Sequence, residues 1–354
     1  MAARSRLYVA IMSLVTADLP QPRRKMPTWL PQTLGYSLSA VCLVWVLRGY
    51  DFNKLASDFR TLDWKWVALA VVADLLVYVC HGWRWNTLLS PVLQLNFWRT
   101  VQAIYIGLFA NEVLPFRPGE LIRCYLLAHW NDLRVSLGFA SAALERIIDG
   151  FWLLAAFIVT AAFARGMPSE ITLLVQGLVV VLLVASVAFF WILRRHEHAH
   201  AALSESRWAA TLRHVVEGLR LMGNRRTLGS TFTISLLYFA LQVVTMFALM
   251  KAYGLDFSFW VAGGVLVIVR LGTLIPSAPG NVGLVNAACI VAIKLFEGND
   301  SDARGFSVLY LVAQPAPLLI GGAIATALTG VNIGELRDRA RARAAQHAHT
   351  DTPA

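Results

Sequence analysis

Two short stretches of this chain break apolar runs in the same way. Residues 114–121 read L-P-F-R-P-G-E-L and residues 275–282 read I-P-S-A-P-G-N-V. Pro115 corresponds to Pro276, Pro118 to Pro279, Gly119 to Gly280 and Glu120 to Asn281, at one constant offset without a gap. Two prolines followed by a glycine stop an α-helix, so neither apolar run continues through its motif. The surrounding chain is 57% hydrophobic and 15% charged, with mean hydropathy +0.59, which is the composition of a multi-span membrane protein. In hydrocarbon, non-helical backbone survives only where it is buried in protein or lines a wet cavity. Broken apolar segments at corresponding places in two halves point to a transporter binding site.

The apolar runs predict an all-α, polytopic membrane helix bundle with two inverted repeats and two broken, re-entrant hairpins. Crossing a bilayer takes about 20 apolar residues, fewer where flanking groups snorkel. Spans are expected at 33–47, 64–83, 135–163, 171–193, 228–250 and 305–329. The first hairpin would comprise 97–113 and 119–130, the second 257–274 and 282–296. Trp83-Arg84-Trp85 reads as an aromatic belt with a snorkelling arginine. Residues 51–65 carry Leu55, Phe59 and Leu62 at helical spacing and are expected on the surface. Within the basic loop 194–227, Trp208, Leu212, Val215, Leu219 and Met222 recur at helical spacing opposite Arg213, Glu217 and Arg220, an interfacial helix with a basic face. Residues 1–33 are expected to form a cytoplasmic arm, 34–330 the membrane domain and 331–354 a basic cytoplasmic tail. The run Leu7 to Val15 resembles a short signal core but has no convincing cleavage site after it.

The net charge of +10 does not signal nucleic acid, because no basic stripe lies on a soluble module. With the N-terminus inside and each hairpin returning to its own side, cytoplasmic segments collect 21 Lys and Arg against eight on the other face. That is the positive-inside bias, and it predicts both termini on the cytoplasmic side; the expected location is the cell membrane. The two hairpins then enter from opposite sides, as inverted repeats require.

Three groups of polar residues carry candidate chemistry. Arg117, Glu120 and Arg123 flank a half-helix whose N-terminus favours an anion, and arginine binds phosphate bidentately. The alternative is an arginine pair snorkelling to water. Glu145, Arg146 and Asp149 share a face inside a span, where ionisable groups are costly. They serve a functional site, or they form a structural ion pair with Arg117 or Arg123. Arg270 stands alone in an apolar run and needs a partner or a wet cavity, with Asp74 a candidate. Asn281 and Asn286 follow the second break, where local backbone bonding is the commoner role. The tract His196, His198 and His200 has no carboxylate or thiol cage beside it and reads as a solvated linker. Cys42, Cys80, Cys124 and Cys289 form no C-x-x-C and suit packing. No metal, cofactor or catalytic residue is expected, since no nucleotide, hydrolase or metalloprotease motif is present.

N-E-V-L-P-F-R-P-G-E-L-I-R (111–123), E-R-I-I-D (145–149) and I-P-S-A-P-G-N-V-G (275–283) resemble the signature segments of the lysylphosphatidylglycerol synthase transmembrane-region family, also called flippase-like. The resemblance covers about residues 34 to 330. The third segment departs from the family pattern of two glycines after the second proline and a Glu further on: Asn281 and Asn286 stand there. In aminoacylating members a separate C-terminal domain transfers the amino acid. None is expected in this chain, so the resemblance implies the translocating half. Stand-alone relatives are linked with glycolipid, hopanoid or polyprenyl-lipid pathways.

The expectation is a lipid translocator, not an enzyme. Its substrate-binding residues are Arg117, Glu120, Arg123, Glu145, Arg146, Asp149, Arg270 and Asn281, and its structural breaks are Pro115, Pro118, Gly119, Pro276, Pro279 and Gly280. Its partners are membrane lipids with an anionic phosphate head group, and lipid-biosynthesis enzymes. A membrane-embedded enzyme or subunit acting on head groups, with Glu120, Glu145 and Asp149 as acid and base, is the alternative. A non-transporting scaffold is the third reading, and a scaffold need not carry intramembrane charge.

Overall fold

The computed structural model describes residues 57–114, 118–131, 133, 135–163, 218–273 and 279–331, with single positions at 37, 41, 42, 44, 46, 180, 184 and 187. Every regular element among them is helical: α1 (Trp64–Leu89), α2 (Phe97–Val113), α3 (Gly119–Trp130), α4 (Val135–Phe163), α5 (Arg225–Ala252), α6 (Phe259–Gly272), a 3₁₀ turn at Pro279–Asn281, α7 (Leu284–Leu295), α8 (Asp300–Ala313) and α9 (Ala316–Thr329). The protein is an all-α membrane helix bundle. Trp64–Leu89, Arg225–Ala252 and the combined Asp300–Thr329 are long and apolar enough to cross a bilayer.

Local chemistry fixes the helix ends. Asp63, Asn96, Asn224, Ser258 and Asn299 cap α1, α2, α5, α6 and α8, each accepting a bond from a first-turn backbone N–H. Asp63 also donates its own N–H to Ala252 O at 3.1 Å, which pins the start of α1 to the end of α5. These two long helices lie against each other and form the spine of the bundle.

Both broken hairpins are present, and in each the arms run antiparallel. In the first, Gly107 meets Gly119 and Arg123, and Asn111 Oδ1 accepts the Gly119 N–H at 2.6 Å. In the second, Gly272 meets Ala288 while Gly264 meets Phe296. The four arms have 17, 12, 14 and 12 residues. At about 1.5 Å per residue, each falls short of the roughly 30 Å hydrocarbon thickness. One apolar core gathers α2 and α3 with α1, α4 and α9. A second gathers α6 and α7 with α5 and α8.

Several boundaries differ from expectation. α1 does not stop at Trp83 but runs on to Leu89. Trp85 is wholly buried and donates its indole N–H to Ser141 Oγ at 2.8 Å. The last span begins at Asp300, five residues before the apolar pattern starts, because Asn299 caps it and Arg304 pairs with Asp300 one turn on. Pro315 then divides it into α8 and α9. In the basic loop, Leu219 and Met222 are buried while Arg220 is exposed, as the helical pattern predicts. The N-terminal arm, the bulk of the spans at 33–47 and 171–193, the three loop histidines, the tail, Pro115, Arg117 and Pro276 lie outside the described residues.

Candidate functional site

Three helices bring six charged side chains into one closed ring. α1 contributes Arg84, α3 contributes Glu120 and Arg123, and α4 contributes Glu145, Arg146 and Asp149. Arg123 Nη2 lies 2.8 Å from Glu145 Oε2 and 2.6 Å from Glu120 Oε2. Arg146 Nη2 lies 2.8 Å from Glu120 Oε1, with Nη1 3.7 Å from Asp149 Oδ2. Arg84 pairs with Asp149 and, through Nε at 3.2 Å, with Glu145 Oε1. Each guanidinium therefore touches two carboxylates and each carboxylate two guanidiniums, so three positive and three negative charges cancel. The aromatic faces of Tyr238 and Trp85 cover Arg84 and Arg123 at 4.5 and 4.7 Å from the ring centroids. His81 Nε2 sits 3.4 Å from Glu145 Oε1.

The ring is sealed on one side and open on the other. The Arg84, Arg123 and Glu145 side chains are 0% exposed, whereas those of Asp149, Glu120 and Arg146 are 23%, 34% and 57% exposed. The open side faces a polar cavity of about 160 Å³. Asn111, Glu112 and Glu120 line it from the first break, and Thr273, Gly280 and Asn281 from the second. Arg146 reaches it from α4 and Arg270 from α6, while α1 supplies Asp74, Tyr78 and His81. The second break is shaped by left-handed backbone at Gly280 (φ 69°), Asn281 (φ 50°) and Gly283 (φ 84°).

The expected site residues therefore divide. Glu120, Arg123, Glu145, Arg146 and Asp149 come together in the ring, and the expected pair between α4 and the first hairpin forms as Arg123 with Glu145. Arg270 and Asn281 stand at the cavity, away from the ring. Arg270 is exposed there and donates to the Gln242 side-chain oxygen; Asp74 shares the cavity and does not supply that bond. Asn286 accepts the Gly283 N–H at 3.3 Å, the local backbone role expected of it, and also donates to Ser307 O of α8 at 3.0 Å, a bond between helices.

Sequence reading missed Arg84, His81, Tyr238 and Gln242. Arg84 is a correction: it does not snorkel, because extending α1 by a turn and a half puts it against α4. Its one available signal was His81, three residues earlier, which places a second polar group on the same face of an otherwise apolar helix.

The model of the lysylphosphatidylglycerol synthase TM region family matches residues 32–322. The chain belongs to that family. Among similar proteins, a UPF0104 membrane protein of Methanocaldococcus jannaschii is 24% identical, over 61% of this chain and 92% of its own length. A UPF0104 membrane protein of Methanothermobacter thermautotrophicus is 25% identical over 82% of this chain and 92% of its own. The protein named glycosyltransferase AglD of Haloferax volcanii is 24% identical over 81% of this chain but only 53% of its own length. No solved structure matches the chain.

Proposed function

We propose that this protein translocates a phosphate-bearing lipid, or a lipid-linked intermediate, across the membrane, with the head group passing through the cavity between the two breaks. One observation carries the reading: a polar cavity is lined by both broken motifs and presents two cationic side chains, Arg146 and Arg270. Broken helices meeting at one site are the arrangement in which transporters hold substrate.

The ring explains how such a site stays stable when empty. An uncompensated arginine at depth costs roughly 3 kcal/mol, and Glu120 and Asp149 offset Arg146 until an anion arrives. A phosphate then replaces one of these carboxylates on Arg146, exchanging one charge-assisted contact for another. Arg123 is enclosed and engaged on every side, so in this reading it holds Glu120 and Glu145 in place and does not itself touch the phosphate.

The test is head-group movement in vesicles reconstituted with purified protein, lipid by lipid, using phosphatidylglycerol and a polyprenyl phosphate. Arg146→Gln and Arg270→Gln should each slow movement about 10- to 100-fold, the loss of one charged hydrogen bond. If the double variant moves lipid at the wild-type rate, or the wild type is no faster than empty vesicles, the reading fails.

A second reading is an enzyme or subunit acting on lipid head groups, which the resemblance to a protein named a glycosyltransferase supports. Against it, Glu120, Glu145 and Asp149 are each held by two guanidiniums, a poor setting for a group that must take and release a proton. Sugar transfer to lipid by the purified chain would favour this alternative.

A further inference from the structure

Asp74 stands midway along α1, on the cavity wall, and is only 4% exposed. Its Oδ2 is buried with no hydrogen-bond partner among the described residues, while the carboxyl takes a hydrogen bond from Tyr78. Every other carboxylate near the cavity that belongs to the ring is neutralised, so the ring does not account for this one. A buried carboxylate with one oxygen unbonded is costly in its charged form unless it is paired, or takes a proton.

The charged and titratable groups around it narrow the choice. Tyr78 of α1, Tyr105 of α2 and Tyr310 of α8 surround Asp74 with phenols, and Arg270 of α6 is the cation within electrostatic reach. Arg270 spends a hydrogen bond on Gln242. The cavity is also lined by His81 of α1, Glu112 of α2, Tyr238 of α5, and Glu120 and Arg146, of which the last two belong to the ring. A bound metal cation would need several oxygen ligands and would sit beside the Arg270 charge. A proton needs one oxygen, and Oδ2 is that oxygen.

We propose that Asp74 is a protonation site coupled to binding of a head-group phosphate at Arg270; this rests on the translocation reading above. With Asp74 ionised, its charge offsets Arg270 and repels an incoming phosphate. When a proton from cavity water binds Oδ2, the Arg270 charge is left uncompensated and attracts the phosphate. Proton uptake and anion binding then favour each other, and by linkage each strengthens the other equally. One proton is taken up per phosphate bound and returned to water when the phosphate leaves.

Two measurements on the full chain in detergent separate the parts. Infrared spectra across a pH series should show the carbonyl band of a protonated carboxyl that disappears as pH rises and is missing from Asp74→Asn. No such difference means that Asp74 stays ionised, and the proposal is wrong. Loss of the band on adding sodium at fixed pH would assign the site to a metal cation and overturn it equally. Binding of dihexanoyl phosphatidylglycerol should weaken about tenfold per pH unit above the carboxyl's titration, the slope for one proton taken up per ligand. That slope should vanish in Asp74→Asn. Arg270→Gln, which keeps the carboxyl, should bind the same lipid about 10- to 100-fold more weakly and covers the case in which Asp74→Asn does not fold; unchanged affinity would overturn the coupling. A pH-independent wild-type affinity overturns the coupling. Absence of binding at every pH, with the carbonyl band intact, sinks the phosphate-translocation reading and the coupling while leaving the protonation site standing.

Discussion

Gly119 and Gly280 occupy the same place in their motifs, each directly after the second proline, yet they are required for different physical reasons. Gly280 has φ 69°, and a Cβ built there meets nothing nearer than 3.6 Å, so the demand is conformational. Gly119 lies outside the left-handed region, but a Cβ there would come within 1.8 Å of Gly107 O and 2.6 Å of Asn111 Oδ1. Its role is close approach of α3 to α2. The sequence pattern P-G is identical in both cases and suggests a turn with free φ at each; only the packing of Gly107 against Gly119 tells them apart. Gly280→Ala should therefore cost about 1–2 kcal/mol, the penalty for a left-handed residue. Gly119→Ala should cost more, since the backbone carbonyl cannot give way without parting the hairpin. Gly280→Asn should be milder than Gly280→Val, because Asn tolerates this region. Thermal unfolding of the four variants in one detergent checks the order; equal loss from Gly119→Ala and Gly280→Ala would show that α2 and α3 part easily.

At the scale of elements, the ring ties α1, α3 and α4 together through side chains whose exposure rises from none to about half. Buried pairs and exposed pairs respond differently to loss of one partner. Glu145→Gln keeps the shape but leaves two enclosed guanidiniums, Arg84 and Arg123, with one carboxylate each, and breaking a buried pair costs about 3–5 kcal/mol. Arg146→Gln removes a side chain that is 57% exposed, and solvent screening holds the cost to within about 1 kcal/mol. The expected result is a pair of variants with opposite profiles: Glu145→Gln strongly destabilised, and Arg146→Gln near wild-type stability but slow in lipid movement. Adding Arg123→Gln to Glu145→Gln should return part of the lost stability, and strict additivity in that cycle would argue against direct coupling. The α4 members were legible in the sequence because three ionisable groups inside an apolar span stand out. The ends of α2 and the start of α3 were equally legible, since Asn96 caps the one and the broken motif separates the two. Arg84 was not, because Trp-Arg-Trp looks the same whether it meets the interface or a buried partner, and which it meets depends on where a neighbouring helix packs.

For the whole molecule, the open question is how the two broken hairpins are oriented relative to each other. Their arms are antiparallel and too short to cross singly, so each hairpin returns to the side from which it entered and leaves the direction of the chain unchanged. Three expected spans, at 135–163, 171–193 and 228–250, separate the first hairpin from the second. If all three cross, the second hairpin is expected to enter from the opposite face, with the first expected on the cytoplasmic side from the lysine and arginine counts. This parity holds even if each hairpin crosses fully, because two crossings also restore the side. A single cavity lined by both tips would then be approached from the cytoplasm through one hairpin and from outside through the other. That is what alternating access around a fixed site requires. Cysteines introduced one at a time at Ser204, Ala342 and Ser169 test it with a membrane-impermeant thiol reagent on oriented membranes. Cys80, Cys124 and Cys289 are buried and should stay silent, while Cys42 is partly exposed and is first changed to Ser. Ser204→Cys and Ala342→Cys should label only from the cytoplasmic side and Ser169→Cys only from the other. If Ser204→Cys and Ser169→Cys label from the same side, the span at 171–193 does not cross. The hairpins would then share a face, and a head group drawn into the cavity would have no second exit.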